Sequence, residues 1–551
     1  MIHSTVHLGT YCLAAAAFGL ASHWTYWVHG HRVRHATWTF LFHLAALFIL
    51  GWKLTSVQGN LLSGLGATAA IFLSYLGTLF TSIVVYRVFF HRLAHFPGPF
   101  FAKVTKLYGL YAARNSQVND HHTSLMRQYG DFVRIAPNEL MVMAPEALSK
   151  VQGMTSKCSK KNTGIFDILH SKGDRMIVAL LEKDEHIARR KIWNQALDTK
   201  LLPQYEPKVR KEVMLWLDTL SKIQGPIDIT HYMMLLSFDL TGAVGYSADY
   251  QTIKTGKENR TLHLLEASFK PFGKLGFLAW PVQIALELGL AKEQKEFEKL
   301  AVKTVDERVA DDSEEKVDIL KYFLQDFRTK QTSFRSMNSI YTESQAILIG
   351  ATDSTSGTMA WILCYLIKHP SVAATLLQEL EPVFGKTTPG EFSDADLRGL
   401  PFLQAVIDET LRLQPPAGNG SARMTPPEGI EIAGTHIPGQ VSVWVPVRAQ
   451  QRDERFFAQP DDFIPERWTT RPELVLDRRV YAPFNTGRWS CVGKQLSFMI
   501  MRMVIAHTLW HYEPSFAPGE DGNDIGLKRQ DLIIAKPGKL ELRFTPRKPR
   551  I

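Results

Sequence analysis

Thiols, carboxylates and alcohols set at special positions are where redox and acid–base chemistry would lie, and the thiols here are few. The chain has four cysteines and no Cys-x-x-Cys pair, which excludes a disulfide scaffold and a zinc or thioredoxin-type site. Cys12 lies in an apolar run and Cys364 on an apolar helical pattern, both as inert packing residues. Cys158 stands among lysines in Ser-Lys-Cys-Ser-Lys-Lys161, a loop residue or a reactive surface thiol. Cys491 differs. It sits in Pro483-Phe-Asn-Thr-Gly-Arg-Trp-Ser-Cys-Val-Gly-Lys494, directly before a helical pattern from Gln495 to His507. Gly487 and Gly493 allow the backbone to turn tightly and aim N–H groups at the sulfur. The dipole of the following helix also favours an anion there, and Phe484 can shield it from water. The pattern suits a metal-bound thiolate; a buried cysteine in a β-bulge is the alternative.

Two polar groups stand out on helical patterns. Gly350-Ala-Thr-Asp-Ser-Thr355 lies in the middle of a long apolar helix from Ser339 to Ile367, which ends at His369-Pro370. Ser and Thr at such positions can bond back to their own carbonyls. Glu409 and Arg412 are three apart and share a helix face, either as a buried pair or as a solvent-facing one of little consequence.

Further helices are predicted over Val209–Leu220 and Phe297–Val309, and short strands at Phe132–Ile135, Ile430–Ala433 and Val441–Val445. The fold class is mainly α with small peripheral β-sheets. Gly64-Leu-Gly66 lies within an apolar span, and Gly385-Lys-Thr387 has Leu380 where a phosphate loop needs glycine. Neither is a nucleotide loop.

Of 551 residues, 45% are hydrophobic and 21% charged, the profile of a folded chain. The apolar surplus lies in the first ninety residues. Leu61–Tyr86 has no charged side chain and spans about 39 Å as a helix, against roughly 30 Å of hydrocarbon. Val6–Val28 and Ala36–Leu54 are further spans, with tryptophans near their ends. Residues 1–95 are therefore predicted to be a membrane anchor of about three transmembrane helices, and 96–551 a catalytic domain. Arg32, Arg34, Arg87 and Arg92 place the amino terminus in the lumen and the domain in the cytosol. The net charge of +9 suits an anionic lipid surface, and its diffuse distribution argues against nucleic acid.

Phe484-x-x-Gly487-x-x-x-Cys491-x-Gly493 resembles the haem-binding signature of the cytochrome P450 family. Three more of its motifs follow the family order: Gly350 to Thr355 in the long helix, Glu409-Thr-Leu-Arg412, and Phe463-Ile-Pro-Glu-Arg-Trp468. The resemblance covers essentially everything after Pro97. Tyr129 to Leu140 and the multi-span start are similar to fungal members, and the Cys491 segment is most similar to the tryprostatin B hydroxylase-like branch.

The resemblance implies heme b, with Cys491 as axial thiolate ligand of the iron; a thiolate pushes electron density onto the iron and favours O–O cleavage. Phe484, Gly487 and Gly493 would shape the ligand loop. Asp353, Ser354 and Thr355 would relay protons from a locally opened helix, with serine where threonine is usual. Glu409, Arg412 and Arg467 would form a structural trio. His186, Arg190 and Arg423 would meet the haem propionates. The family usually has arginine or histidine two residues before the ligand, where Trp489 stands here; Arg488 is the candidate replacement.

No flavin or nicotinamide motif is present, so electrons would come from NADPH through cytochrome P450 reductase, with cytochrome b5 as an optional second donor. Arg189-Arg190-Lys191 and Lys494 are candidates for that docking face, or an ordinary solvated helix face. The expected protein is a multi-pass enzyme of the endoplasmic reticulum that hydroxylates or epoxidises a lipophilic small molecule in fungal secondary metabolism. A reductase-independent isomerase or dehydratase is the rival, and retention of Asp353 and Ser354 argues against it. Stretches 164–177 and 264–286 are expected to face substrate.

Overall fold

The computed structural model describes residues 2–29, 32–160, 174–275, 278–311, 313, 315–330 and 332–548. Most of the expected substrate-facing stretch 164–177 lies outside the described residues.

Three helices lead: α1 (Ile2–Ser22), α2 (Ala36–Gln58) and α3 (Leu61–Val85). Val33–Gln58 and Leu61–Phe90 are long and apolar enough to cross a membrane. α1 packs closely along α3: a Cβ on Gly19 would lie 2.5 Å from the Tyr75 carbonyl oxygen, so glycine permits the approach. The Asn60 side chain caps α3 by accepting from the backbone of Leu62 and Ser63.

The exit from α3 is pinned to the first sheet. Arg134 is fully buried and donates to the carbonyls of Arg87 and Pro137. Gly98, at φ +152°, lies so close to the Arg134 carbonyl that a Cβ would come within 2.4 Å of its oxygen. That sheet contains β1 (Phe132–Ala136), β2 (Glu139–Val142), β3 (Arg423–Met424) and β4 (Ser442–Trp444), in the order β1-β2-β4-β3. β2 and β4 run parallel and the other pairs antiparallel.

The remaining domain is helical. Its longer elements include α4 (Lys183–Ala196), α5 (Leu202–Lys222), α6 (Ile229–Tyr246), α7 (Arg260–Leu275), α8 (Ala279–Glu287), α9 (Met337–Lys368), α10 (Pro401–Leu413) and α11 (Lys494–His511). α6, α9 and α11 are apolar nearly all round and form the centre of the main core, with Phe238, Leu348, Ile362, Met499 and Val504 buried. α9 starts on a Ser336 capping box and stops before Pro370, whose ring cannot continue the helix. Against α2, α8 buries Ala279 beside Val33 and Ile533, so the apolar leader touches the helical domain.

The mainly helical fold with peripheral sheets agrees with the sequence reading. Cys158 does not follow the surface-thiol alternative: it is 4% exposed, and burial raises its thiol pKa.

Candidate active site

Gly487 and the helix start at Lys494 set the position of Cys491. Gly487 has φ +65°, and a Cβ there would sit 2.4 Å from the carbonyl oxygen of Gln152, so the turn admits only glycine. The Cys491 N–H donates to the Phe484 carbonyl at 2.8 Å, which closes the loop, and Phe484 packs against Phe498 with ring centroids 5.1 Å apart. N–H groups of Gly493 and Lys494 and the charges of Arg190 and Lys494 lower the thiol pKa. Burial pushes the other way and prevails, so the net shift is upward. The side chain is nevertheless accessible. Gly350, between buried Leu348 and Thr352 on α9, is accessible as well, with nothing within 4 Å of an added Cβ.

Beside this loop lies a cluster of cations around Trp489. The His186 ring is 4.3 Å from it by centroids, the Lys160 ammonium 4.4 Å and the Arg423 guanidinium carbon 5.2 Å. His186, Lys160 and Arg423 are all buried. Arg190, one turn from His186 on α4, donates to the carbonyl and hydroxyl oxygens of Ser490. Among the described residues, the charges that act on His186 are positive: Lys160, Arg190, Arg423 and Arg488. With burial as the larger cause, they push its pKa down to about 3. Among the described residues, His186 Nδ1 and Trp489 Nε1 are buried without a hydrogen-bond partner. Such atoms cost about 1–3 kcal/mol each. The arrangement fits an anionic oxygen ligand.

Two expectations about neighbouring arginines need correction. The Arg488 Nη2 donates to the carbonyls of Met154 and Ser156 at 2.6 and 3.2 Å. Those bonds hold the 154–156 turn through Nη2, so that nitrogen is not the replacement for the contact absent at Trp489. Arg189 is no docking residue either, since it is buried against Glu343 of α9. Glu343 also accepts from Trp193 Nε1 and the backbone N–H of Ile177, which ties α4 to α9.

On α9, Asp353 and Ser354 are partly accessible while Thr355 is buried. The helix is not locally opened there, contrary to expectation: it runs unbroken from Met337 to Lys368. The Ser354 hydroxyl donates to the Gly350 carbonyl at 2.8 Å, the back-bonding alternative, which leaves its lone pairs available. Thr355 turns the other way. Its Oγ1 lies 3.2 Å from Ser497 Oγ on α11, so it joins two helices and does not share the face of Asp353 and Ser354. Burial pushes the Asp353 pKa up to about 6, with Lys536 lowering it and Glu266 raising it further.

Glu409, Arg412 and Arg467 come together in full burial. Arg412 grips Glu409 through two bonds of 2.9 and 2.8 Å, and Arg467 Nε adds a third of 2.9 Å. Trp468 Nε1 and the Ile464 N–H, each at 3.0 Å, complete the carboxylate's partners. Spare guanidinium protons go to carbonyls of Gln451, Pro460 and Asp462 from Arg412, and of Ala458, Gln459 and Leu474 from Arg467. The Gln451 side chain in turn accepts from the Ala482 N–H at 3.0 Å, two residues before Phe484. The trio thus braces the cysteine loop through the backbone.

Residues 97–544 match the family profile of cytochrome P450. The chain belongs to the cytochrome P450 family. This P450 is 33% identical over 501 residues to cytochrome P450 monooxygenase orf5 of Eupenicillium brefeldianum, covering 89% of this chain and 99% of that one. It is 27% identical over 539 residues to tryprostatin B 6-hydroxylase of Aspergillus fumigatus, covering 95% and 94%. Its fold superimposes on the haem domain of cytochrome P450DA with TM-score 0.66 at 17% identity, over 80% of this chain and 94% of that one. The P450 is a haem-dependent monooxygenase, an oxidoreductase of a kind used in fungal secondary metabolism.

Haem in this family is held by a cysteine thiolate, and it carries two carboxylates. The residues present fit both demands. Cys491 is accessible and has backbone N–H support for its sulfur, and the cluster at Trp489 offers buried basic groups beside an indole N–H and an imidazole nitrogen that have no partner among the described residues.

Proposed function

We propose that this P450 is a membrane-anchored monooxygenase that hydroxylates or epoxidises a lipophilic secondary metabolite, with Cys491 as its haem ligand. The proposal takes O2 as oxidant, NADPH as electron source through a reductase, and cytochrome b5 as an optional second donor. Residues 1–95 would anchor it, and residues 96–551 would face the cytosol from the endoplasmic reticulum. The observation that carries the reading is the accessible Cys491 sulfur set beside unpartnered His186 and Trp489 donors. Bound haem supplies the one-electron and oxygen chemistry.

The chain's own groups do the rest. Cys491 anchors the cofactor, and Gly487, Gly493 and Phe484 fix its loop. His186, Arg190 and Arg423 orient the cofactor's carboxylates. Asp353, with a pKa near the working pH, can take up a proton and release it on the accessible face of α9. The Ser354 hydroxyl is held by Gly350 and can accept on its remaining lone pairs. Thr355 keeps α9 in register with α11. Tryprostatin B 6-hydroxylase among the relatives supports an apolar alkaloid as substrate class. Lys191 and Lys494 are exposed and remain candidates for reductase docking once Arg189 is set aside. Turnover of a supplied alkaloid that requires both NADPH and reductase would support this reading; turnover driven by peroxide-bearing substrate alone would refute it.

Two outcomes follow from α9. Ser354 lacks the methyl group that fixes a threonine rotamer, so Ser354→Thr should lower the peroxide released per electron consumed, by about twofold for a few tenths of a kcal/mol of rotamer bias. Equal peroxide yields would contradict it. Asp353 also makes stability depend on pH. Below its ordinary pKa of 3.8, folded and unfolded chains are both protonated there. Between that and about 6 the unfolded chain loses the proton and the folded chain keeps it, so stability falls as pH rises. Asp353→Asn should therefore gain stability relative to wild type across this window, read from urea midpoints. Parallel midpoints at both ends would show that Asp353 titrates normally.

A further inference from the structure

The basic residue expected two positions before Cys491 is replaced by Trp489, and Nη2 of the adjacent Arg488 is taken up by the carbonyls of Met154 and Ser156. We propose that Lys160 supplies the missing cation, reaching the haem carboxylates across the Trp489 ring from a segment distant in sequence. This deepens the reading of Cys491 as haem ligand and rests on it.

Backbone pairing sets Lys160 in place. Ser159 and Met424 exchange two hydrogen bonds, of 3.0 and 2.8 Å, in an isolated antiparallel bridge. That bridge brings Lys160 alongside Arg423, the residue before Met424. The Lys160 side chain is 3% exposed, unusual for a group whose charge is costly to bury. Its ammonium donates to the carbonyls of Ile177 at 3.2 Å and Val178 at 2.8 Å and lies 4.4 Å from the Trp489 ring centre. A tryptophan face is the best aromatic seat for a cation, and the ring's own unpartnered Nε1 can serve the same acceptor. Burial, with Arg423 beside it, pushes the Lys160 pKa well down and Glu343 pushes it back up, so an anionic carboxylate at this spot would stabilise its ammonium form: the indole then gives geometry and one donor, the lysine gives charge.

The test measures haem transfer from the holoenzyme to an excess of apomyoglobin. Lys160→Gln keeps two N–H donors for Ile177 and Val178 while removing the charge; Lys160→Met serves if the glutamine variant does not fold. Native haem should leave either variant about tenfold faster than wild type, the size of a hydrogen bond to a charged group. With haem dimethyl ester, whose carboxylates carry no charge, variant and wild type should release at the same rate. Unchanged release of native haem overturns the proposal. Acceleration that persists with the ester overturns it too, because Lys160 would then only hold the 177–178 backbone. A wild-type protein lacking the thiolate-type carbon monoxide spectrum would overturn the Cys491 reading along with it, whereas a normal spectrum with unchanged release removes Lys160 alone.

Discussion

Cys491→Ala should abolish monooxygenase turnover and leave the fold intact. The residue is accessible, so little packing is lost. The loop is closed by the Cys491 N–H to Phe484 bond, which any residue can make, and Gly487 sets the turn. The loss is chemical. Outer partners of metal ligands are typically worth 10–100-fold, and removal of the proposed ligand itself should exceed about 100-fold, to background. Circular dichroism and urea midpoints of the apoprotein should match wild type. A Cys491→Ala protein that oxidised the same compound at an undiminished rate would place the chemistry elsewhere.

Glu409→Ala should cost about 3–5 kcal/mol, a large part of a domain's net stability. Its carboxylate accepts from Arg412, Arg467, Trp468 and Ile464. Without it, two fully buried guanidinium groups keep their carbonyl partners but lose their counter-charge. The same helix reaches the ligand loop twice, through Gln451 to Ala482 and through Asp408 to Tyr481. Damage should therefore appear first as lost cofactor retention. The measurement is haem content per folded protein alongside the thermal midpoint. A variant with wild-type haem content and midpoint would show the trio to be dispensable.

How far the sequence could be read follows from how local each signal is. The cysteine loop needs two glycines and a helix start within a dozen residues, and the structure has those parts in place. The long helix was legible from its apolar period and from Pro370. Glu409 and Arg412 share a turn, so their pairing was foreseeable, although their burial needed the segment around Arg467. Contacts between distant segments were not legible. Lys160 reads as one of several loop lysines, and only the Ser159–Met424 bridge brings it to Trp489. Arg189 looks like part of a solvated basic run until α4 turns it toward Glu343. Thr355 differs from Ser354 by one helical step of about 100°, which sends it to Ser497 and away from the accessible face. In that polar run, the sequence marks the helix but not which side chain stays accessible.

The most direct test is the carbon monoxide difference spectrum of the reduced protein, recorded for wild type and for Cys491→His. Wild type should show the strongly red-shifted Soret band of a thiolate-ligated haem, and the histidine variant should lose it for the band of an imidazole-ligated one. A red-shifted band that survives the replacement of Cys491 would contradict the account.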